Sequence, residues 1–218
     1  GGILVALNTR LSGREISYIL NHSESKVLVF DSEFGDIIEK IKPELTNIDC
    51  FVQIIDTEPE NKNIDSIEYE KFLETSPDGE HFVDLDSEED VVTINYTSGT
   101  TGLPKGVQYS SRGAYIAAIG NVIELSMSST TNYLWTLPMF HCNGWTGPWA
   151  VTAAGGTHVC LRQVRADDIF RLISEEEITN MCCAPTVLTA MYTSKHAEGQ
   201  DLGKVTVMTA GAPPAPIV

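Results

Sequence analysis

The sequence predicts an α/β fold in which parallel sheets are joined by crossover helices in αβα layers. Three observations predict it. Short β-branched runs alternate with amphipathic segments along the chain. The runs are continuously apolar, as strands buried on both faces must be. The segments between them are long enough to carry a crossover from one parallel strand to the next. Bulk composition agrees, since 218 residues that are 42% hydrophobic and 20% charged can fold around a sizeable core.

In chain order, Ser12 and Glu15 stand at capping-box spacing, and Ile16, Ile19 and Leu20 follow at the spacing of one helix face. The runs KVLVF (26–30) and CFVQII (50–55) read as the first two buried strands. Residues 56–90 are acidic and rich in turn formers, the pattern of a solvated surface excursion. VVTINYT (91–97) is the next strand, followed by a Gly-rich loop and a helix from about Arg112. YLWTL (133–137), THVCL (157–161), NMCCA (180–184) and VTVMTA (205–210) complete the strands. Asp167 or Asp168 is expected to open one helix, with Ile169, Leu172 and Ile173 on its inner side. Pro185 opens another, with Val187, Leu188 and Met191 facing inward. The chain has no internal repeat of fixed period.

Charge narrows the function. A net charge of −16 leaves no basic face for nucleic acid. No apolar run reaches the ~18 residues of a transmembrane helix, and no signal-peptide pattern is present. Cys50, Cys142, Cys160, Cys182 and Cys183 lie in or beside apolar runs without C-x-x-C or Cys/His ligand spacing. They read as buried, reduced thiols, which implies a reducing, cytoplasmic setting. Gly1-Gly2 at one end and APPAPIV at the other suggest an internal piece of a longer protein.

Within this acidic chain, residues 91–166 invert the balance, with Lys105, Arg112, Arg162 and Arg165 against Glu124 alone. The window begins with Thr97, Ser98, Gly99, Thr100, Thr101, Gly102, Leu103, Pro104, Lys105 and Gly106. Glycines let the backbone approach a ligand, successive amides form an anion-binding concavity, and hydroxyls add donors. Lys105 supplies a mobile cation suited to polyphosphate. Neither G-x-x-x-x-G-K-[ST] nor G-x-G-x-x-G is present, because Lys105 is followed by Gly106 and Gly99 and Gly102 are wrongly spaced. A P-loop NTPase is therefore disfavoured.

YTSGTTGLPKGV resembles the signature loop of the adenylate-forming (AMP-binding) enzymes, namely acyl-CoA synthetases, luciferases and peptide-synthetase adenylation domains. The resemblance implies that Thr97 to Gly102 and Lys105 hold the β- and γ-phosphates of ATP. Where many members have His before Arg, this chain has Ser111 before Arg112. A second segment, LPMFHCNGW (137–145), is similar to one that lines the acid site in acyl-CoA synthetases. By that likeness His141 meets the carboxylate near the α-phosphate and Trp145 borders the acyl tunnel. Read without the likeness, His141 fits a satisfied core histidine better than a catalyst, and Trp135 and Trp149 belong to the core. Gly211, Ala212 and Pro213 in TAGAPPAP resemble the segment that packs on adenine, on a strand expected to share a sheet with the Gly-rich loop.

The resemblance covers essentially the whole chain, through NTRLSGREISYIL near its start. It implies part of the large N-terminal domain of an adenylate-forming enzyme, residues 1–218, without the C-terminal lid. The Mg²⁺-ligating Glu and the lid lysine would lie beyond Val218, so no metal ligand is carried onto this chain. The implied activity is that of an acid–thiol ligase joining a fatty or other carboxylic acid to CoA with ATP. FHCNGW and GGTHVCLRQV most resemble ligases of medium- to long-chain and short-thioether acids. A homodimer is compatible with the family. Residues 1–218 alone are expected to be inactive, and the competing reading is a nucleotide-binding fragment or scaffold module without catalysis.

Overall fold

The computed structural model describes residues 1–56, 64–77, 79, 85–97 and 102–211. The chain divides into two compact units, Gly1–Gln108 and Tyr109–Val218.

In the first unit, β1 (Val27–Asp31), β2 (Cys50–Ile54) and β3 (Ile67–Glu68) form a parallel sheet in that order. Helix α1 (Gly13–His22) begins at the capping box read from the sequence. The Glu15 carboxylate accepts from Ser12 N at 2.9 Å while Ser12 Oγ accepts from Glu15 N at 3.4 Å. The same serine, through its hydroxyl first, holds the Glu15 carboxyl below its ordinary pKa. Ile16 and Leu20 of α1, Leu28 and Phe30 of β1, and Ile38 and Ile41 of α2 (Gly35–Ile41) make the core with Leu45 and Ile64. Alternation along β1 points Leu28 and Phe30 into that core and leaves Val27 and Val29 exposed, so this strand is covered on one face only.

Two expectations for this unit are corrected. Within 56–90, Ile67 and Glu68 extend the sheet and α3 (Tyr69–Glu74) follows, capped by the Glu68 side chain. A two-residue strand is too short to show a period. Lys105 is not a loop residue, because it starts β5 (Lys105–Ser110), which pairs with β4 (Val91–Thr97) in a separate two-stranded sheet.

The second unit is a four-stranded parallel sheet with the order β7-β6-β8-β9, from β6 (Asn132–Trp135), β7 (Thr157–Cys160), β8 (Asn180–Cys183) and β9 (Thr206–Thr209). Both faces are covered. Tyr133, Trp135 and Cys182 face a core with Ala118 and Leu125, from α4 (Ser111–Glu124) and its end, and with Ala150 and Val151 of α5 (Gly147–Ala153). Leu134, Met181 and Cys183 face the other way, onto Ile169, Phe170 and Ile173 of α6 (Ala166–Glu175) and Met191 of α7 (Pro185–Tyr192). Period-two alternation thus splits β6 and β8 between two cores. Asn180 Nδ2 donates to Leu125 O at 2.9 Å, anchoring the end of α4 to β8.

Pro185 opens α7 as read from the sequence, and Val187 and Leu188 are partly buried beside Met191. Arg165, not an aspartate, occupies the cap of α6, with Asp167 and Asp168 inside its first turn. There the carboxylates complement the positive end of the helix dipole, and Arg165 Nε donates to Asp168 Oδ2 at 2.7 Å. Of the cysteines only Cys182 and Cys183 are buried, and burial pushes the Cys183 thiol up to about 11. Cys50 and Cys142 are half-buried and Cys160 is exposed, so the expectation of five buried thiols is corrected. Among the described residues no helix is long and apolar enough to cross a membrane.

Candidate active site

The sequence-derived site residues fall in both units. Thr97 ends β4 and Lys105 begins β5 in the first, while His141, Trp145 and Gly211 belong to the second. Ser98, Gly99, Thr100 and Thr101, with Ala212 and Pro213, lie outside the described residues. The expectation that the Gly-rich loop and the Gly211 segment share a sheet is corrected, since β4 and β9 belong to different sheets.

Helix α1 braces both stems of the loop. The residue before Thr97 is Tyr96, whose hydroxyl lies 2.7 Å from His22 Nδ1. The residue before Lys105 is Pro104, whose carbonyl accepts from the Tyr18 hydroxyl at 3.3 Å. Tyr18 stacks on His22 with centroids 5.3 Å apart, so two bracing side chains one helical turn apart support each other. Desolvation raises the Tyr96 phenol above its usual range and keeps it protonated as a hydrogen-bonding group. Lys105 is exposed and has no carboxylate partner among the described residues, which leaves its ammonium available to an anion.

In the second unit the chain leaves β6 through Thr136, whose hydroxyl donates to Cys182 O at 2.6 Å. It then enters an unusual turn. Cys142, Asn143, Gly144, Trp145 and Thr146 all have φ between 43° and 58°. Left-handed backbone costs about 1–2 kcal/mol per residue with a Cβ, so four such residues need an offset of roughly 4–8 kcal/mol.

Side chains around the turn identify the offset. Gly144 and Gly147 lie flat on the Trp135 indole, where an added Cβ would stand 2.6 Å from Cζ3 and 2.8 Å from Cη2 respectively. Asn121 of α4 donates to Trp145 O at 2.5 Å and to Thr146 Oγ1 at 3.1 Å. Thr146 Oγ1 donates in turn to Trp145 O at 2.6 Å. The Tyr109 phenol hydrogen-bonds Cys142 and is raised by burial first and by that thiol second. Gly144 N donates to His141 O at 2.9 Å.

Trp135 is itself fixed. Its indole N–H donates to His158 Nδ1 at 2.9 Å, which places the imidazole proton on Nε2, 3.1 Å from Thr152 Oγ1. Burial lowers the His158 pKa and so favours this neutral ring.

The result is a rigid turn that presents His141 and Trp145 to solvent. Trp145 is 42% exposed, whereas Trp135 is 4% exposed and in the core as read from the sequence. Trp149 is partly buried against the same core. Gly211, with φ +89° and open space around it, follows the carboxyl end of β9. The strands of this sheet are parallel, so the His141 turn and Gly211 leave from the same edge. Ligands of open α/β sheets bind at that edge. With β8 between β6 and β9, the two exits stand about 10 Å apart at the usual strand spacing.

Sequence reasoning missed Asn121, Tyr109 and the supporting role of Trp135. One signal was available for Asn121, because asparagine is a poor helix former and needs another reason to sit in α4.

Parallel sheets with helices in both units define an α/β protein. The chain belongs to the AMP-binding enzyme family, whose description matches residues 1–218. It is 43% identical to probable acyl-activating enzyme 5, peroxisomal, of Arabidopsis thaliana, over 98% of this chain and 40% of that protein. It is 38% identical to the trans-cinnamate:CoA ligase, peroxisomal, of Petunia hybrida, again over 98% of this chain and 40% of the relative. The inhibitor-bound N-terminal domain of FACL13 from Mycobacterium tuberculosis superposes with a TM-score of 0.83 at 26% identity, over 97% of this chain and 51% of that one. The chain thus spans about 40% of the length of these curated relatives.

Proposed function

We propose that the full-length protein is an ATP-dependent carboxylic acid–CoA ligase, with residues 1–218 forming part of its large N-terminal domain. The observation that carries this reading is the left-handed turn exposing His141 and Trp145 at the carboxyl edge of the sheet that also leads to Gly211. Relatives named acyl-activating enzyme and CoA ligase support it.

In the first half-reaction a carboxylate oxygen attacks the α-phosphorus of ATP. An O–P bond forms, the bond to the β-phosphate oxygen breaks, and pyrophosphate leaves. Lys105 and the hydroxyls of Thr97, Ser98, Thr100 and Thr101 neutralise charge on that leaving group, while His141 orients the acid by donating to the developing negative charge. Gly99 and Gly102 give the loop its close approach, and Gly211, Ala212 and Pro213 pack on adenine. In the second half-reaction the CoA thiolate attacks the acyl carbon, a C–S bond forms, and the bond to AMP breaks. Mg²⁺ accompanies ATP, and no group of three or more His, Cys, Asp or Glu among the described residues is positioned to hold it. A homodimer and a thiol-reducing compartment complete the reading. The relatives' names favour a peroxisome over the cytoplasm.

The test is to incubate the full-length protein with ATP, CoA and a series of straight-chain and aromatic acids. Acid-dependent AMP and thioester support the reading; nucleotide binding without turnover supports the scaffold alternative. Trp145→Ala is expected to change the chain-length profile of kcat/KM while leaving KM for ATP nearly constant. The change should be graded, because each methylene in an apolar pocket is worth about 1–3 kcal/mol. An unaltered profile removes Trp145 from the acyl site.

A further inference from the structure

The amide nitrogen of Asn121 donates into the left-handed turn, within reach of both the carbonyl of Trp145 and the hydroxyl of Thr146. The Thr146 hydroxyl passes its own hydrogen to the same carbonyl, so Trp145 O accepts twice. This closed set of three bonds fixes the plane of the peptide between Trp145 and Thr146. The two residues on either side of that peptide both have φ of 58°. With the carbonyl held toward α4, the indole of Trp145 is directed outward and remains exposed. Without the Asn121 amide, that peptide can turn over toward the ordinary right-handed region, and the indole swings with it. Asn121 lies on the face of α4 that carries the buried Ala114 and Ala118, where its amide needs a hydrogen-bond partner.

We infer that Asn121 is a positioning residue for acid selection, acting through the backbone of Trp145. The inference rests on the reading of Trp145 as the border of the acyl site. Asn121 itself touches no reacting atom in this account. It holds the residue that measures the acid.

The experiment compares Asn121→Ala, Trp145→Ala and the double variant of the full-length protein, reading the ratio of kcat/KM for a short and a long straight-chain acid. Asn121→Ala should shift the ratio about tenfold, the scale of one misplaced apolar contact. In the Trp145→Ala background the same substitution should shift it by less than about twofold, since coupled sites do not add. Equal shifts in both backgrounds overturn the inference, as does an Asn121→Ala protein with the wild-type ratio while Trp145→Ala changes it. If Trp145→Ala leaves the ratio unaltered, the acyl-border reading itself fails, which is a separate outcome. Asn121→Asp keeps the side-chain shape without hydrogens to donate, and should reproduce the shift in the ratio. Failure of both Asn121 variants to fold overturns the positioning role, because the residue then serves the fold and not selection.

Discussion

Lys105→Ala in the full-length protein lowers acid-dependent adenylation about 10²–10³-fold, the loss expected when one preorganised charge-stabilising donor is removed. The fold is not expected to respond. Lys105 is exposed at the first position of β5 and has no carboxylate partner among the described residues, so its removal breaks no ion pair. Stability should stay within about 0.5 kcal/mol of wild type, as for an ordinary surface substitution. Steady-state adenylation and a denaturant melt on the same preparation separate the two quantities. Wild-type adenylation in the variant removes Lys105 from phosphate handling.

Gly144→Ala is the second substitution with a large expected effect, and its effect is on stability. The residue has φ +54°, and the added Cβ would meet Trp135 Cζ3 at 2.6 Å. The left-handed penalty is about 1–2 kcal/mol. Overpacking a site that cannot yield adds about 1–3 kcal/mol. Trp135 has little room to yield, because His158 and the core around Tyr133 and Ala150 hold it in place. A loss of roughly 2–5 kcal/mol is expected by denaturant unfolding. Gly120→Ala is the internal control. It lies in α4 with open space around it, so alanine there should stabilise by about 0.5–1 kcal/mol through helix propensity. Equal stability of the two variants contradicts the packing of the turn on Trp135.

Much of the fold was legible in the sequence, for a physical reason. β1, β2 and β6 to β9 are largely apolar runs that reach the cores, and β4 is rich in β-branched residues; such runs stand out from an acidic background. β5 was not legible, because Lys105 to Gln108 are exposed and mixed in character, with neither an apolar run nor an alternation. Helix α5 escaped notice because Gly147, Ala150 and Val151 are buried within a segment that has almost no polar face. The cap of α6 was misplaced because aspartate suits a helix cap and a first turn about equally well.

For the candidate site, the sequence offers residue types and a motif but no geometry. His141 and Trp145 were read from a motif, but the left-handed turn that presents them could not be. Asn143 and Gly144 are residue types that tolerate positive φ, whereas Cys142, Trp145 and Thr146 are not. Their conformation is imposed by partners distant in the chain, Asn121 and Trp135, and no local pattern announces it.

Acid-dependent exchange of labelled pyrophosphate into ATP, by the full-length protein without CoA, tests the central claim most directly. The account predicts exchange only when a carboxylic acid is present, because only the reverse of acid attack on the α-phosphate returns pyrophosphate to ATP. It also predicts that Lys105→Ala suppresses that exchange. Exchange that proceeds equally without acid, or thioester formation that consumes ATP without releasing AMP, would contradict it.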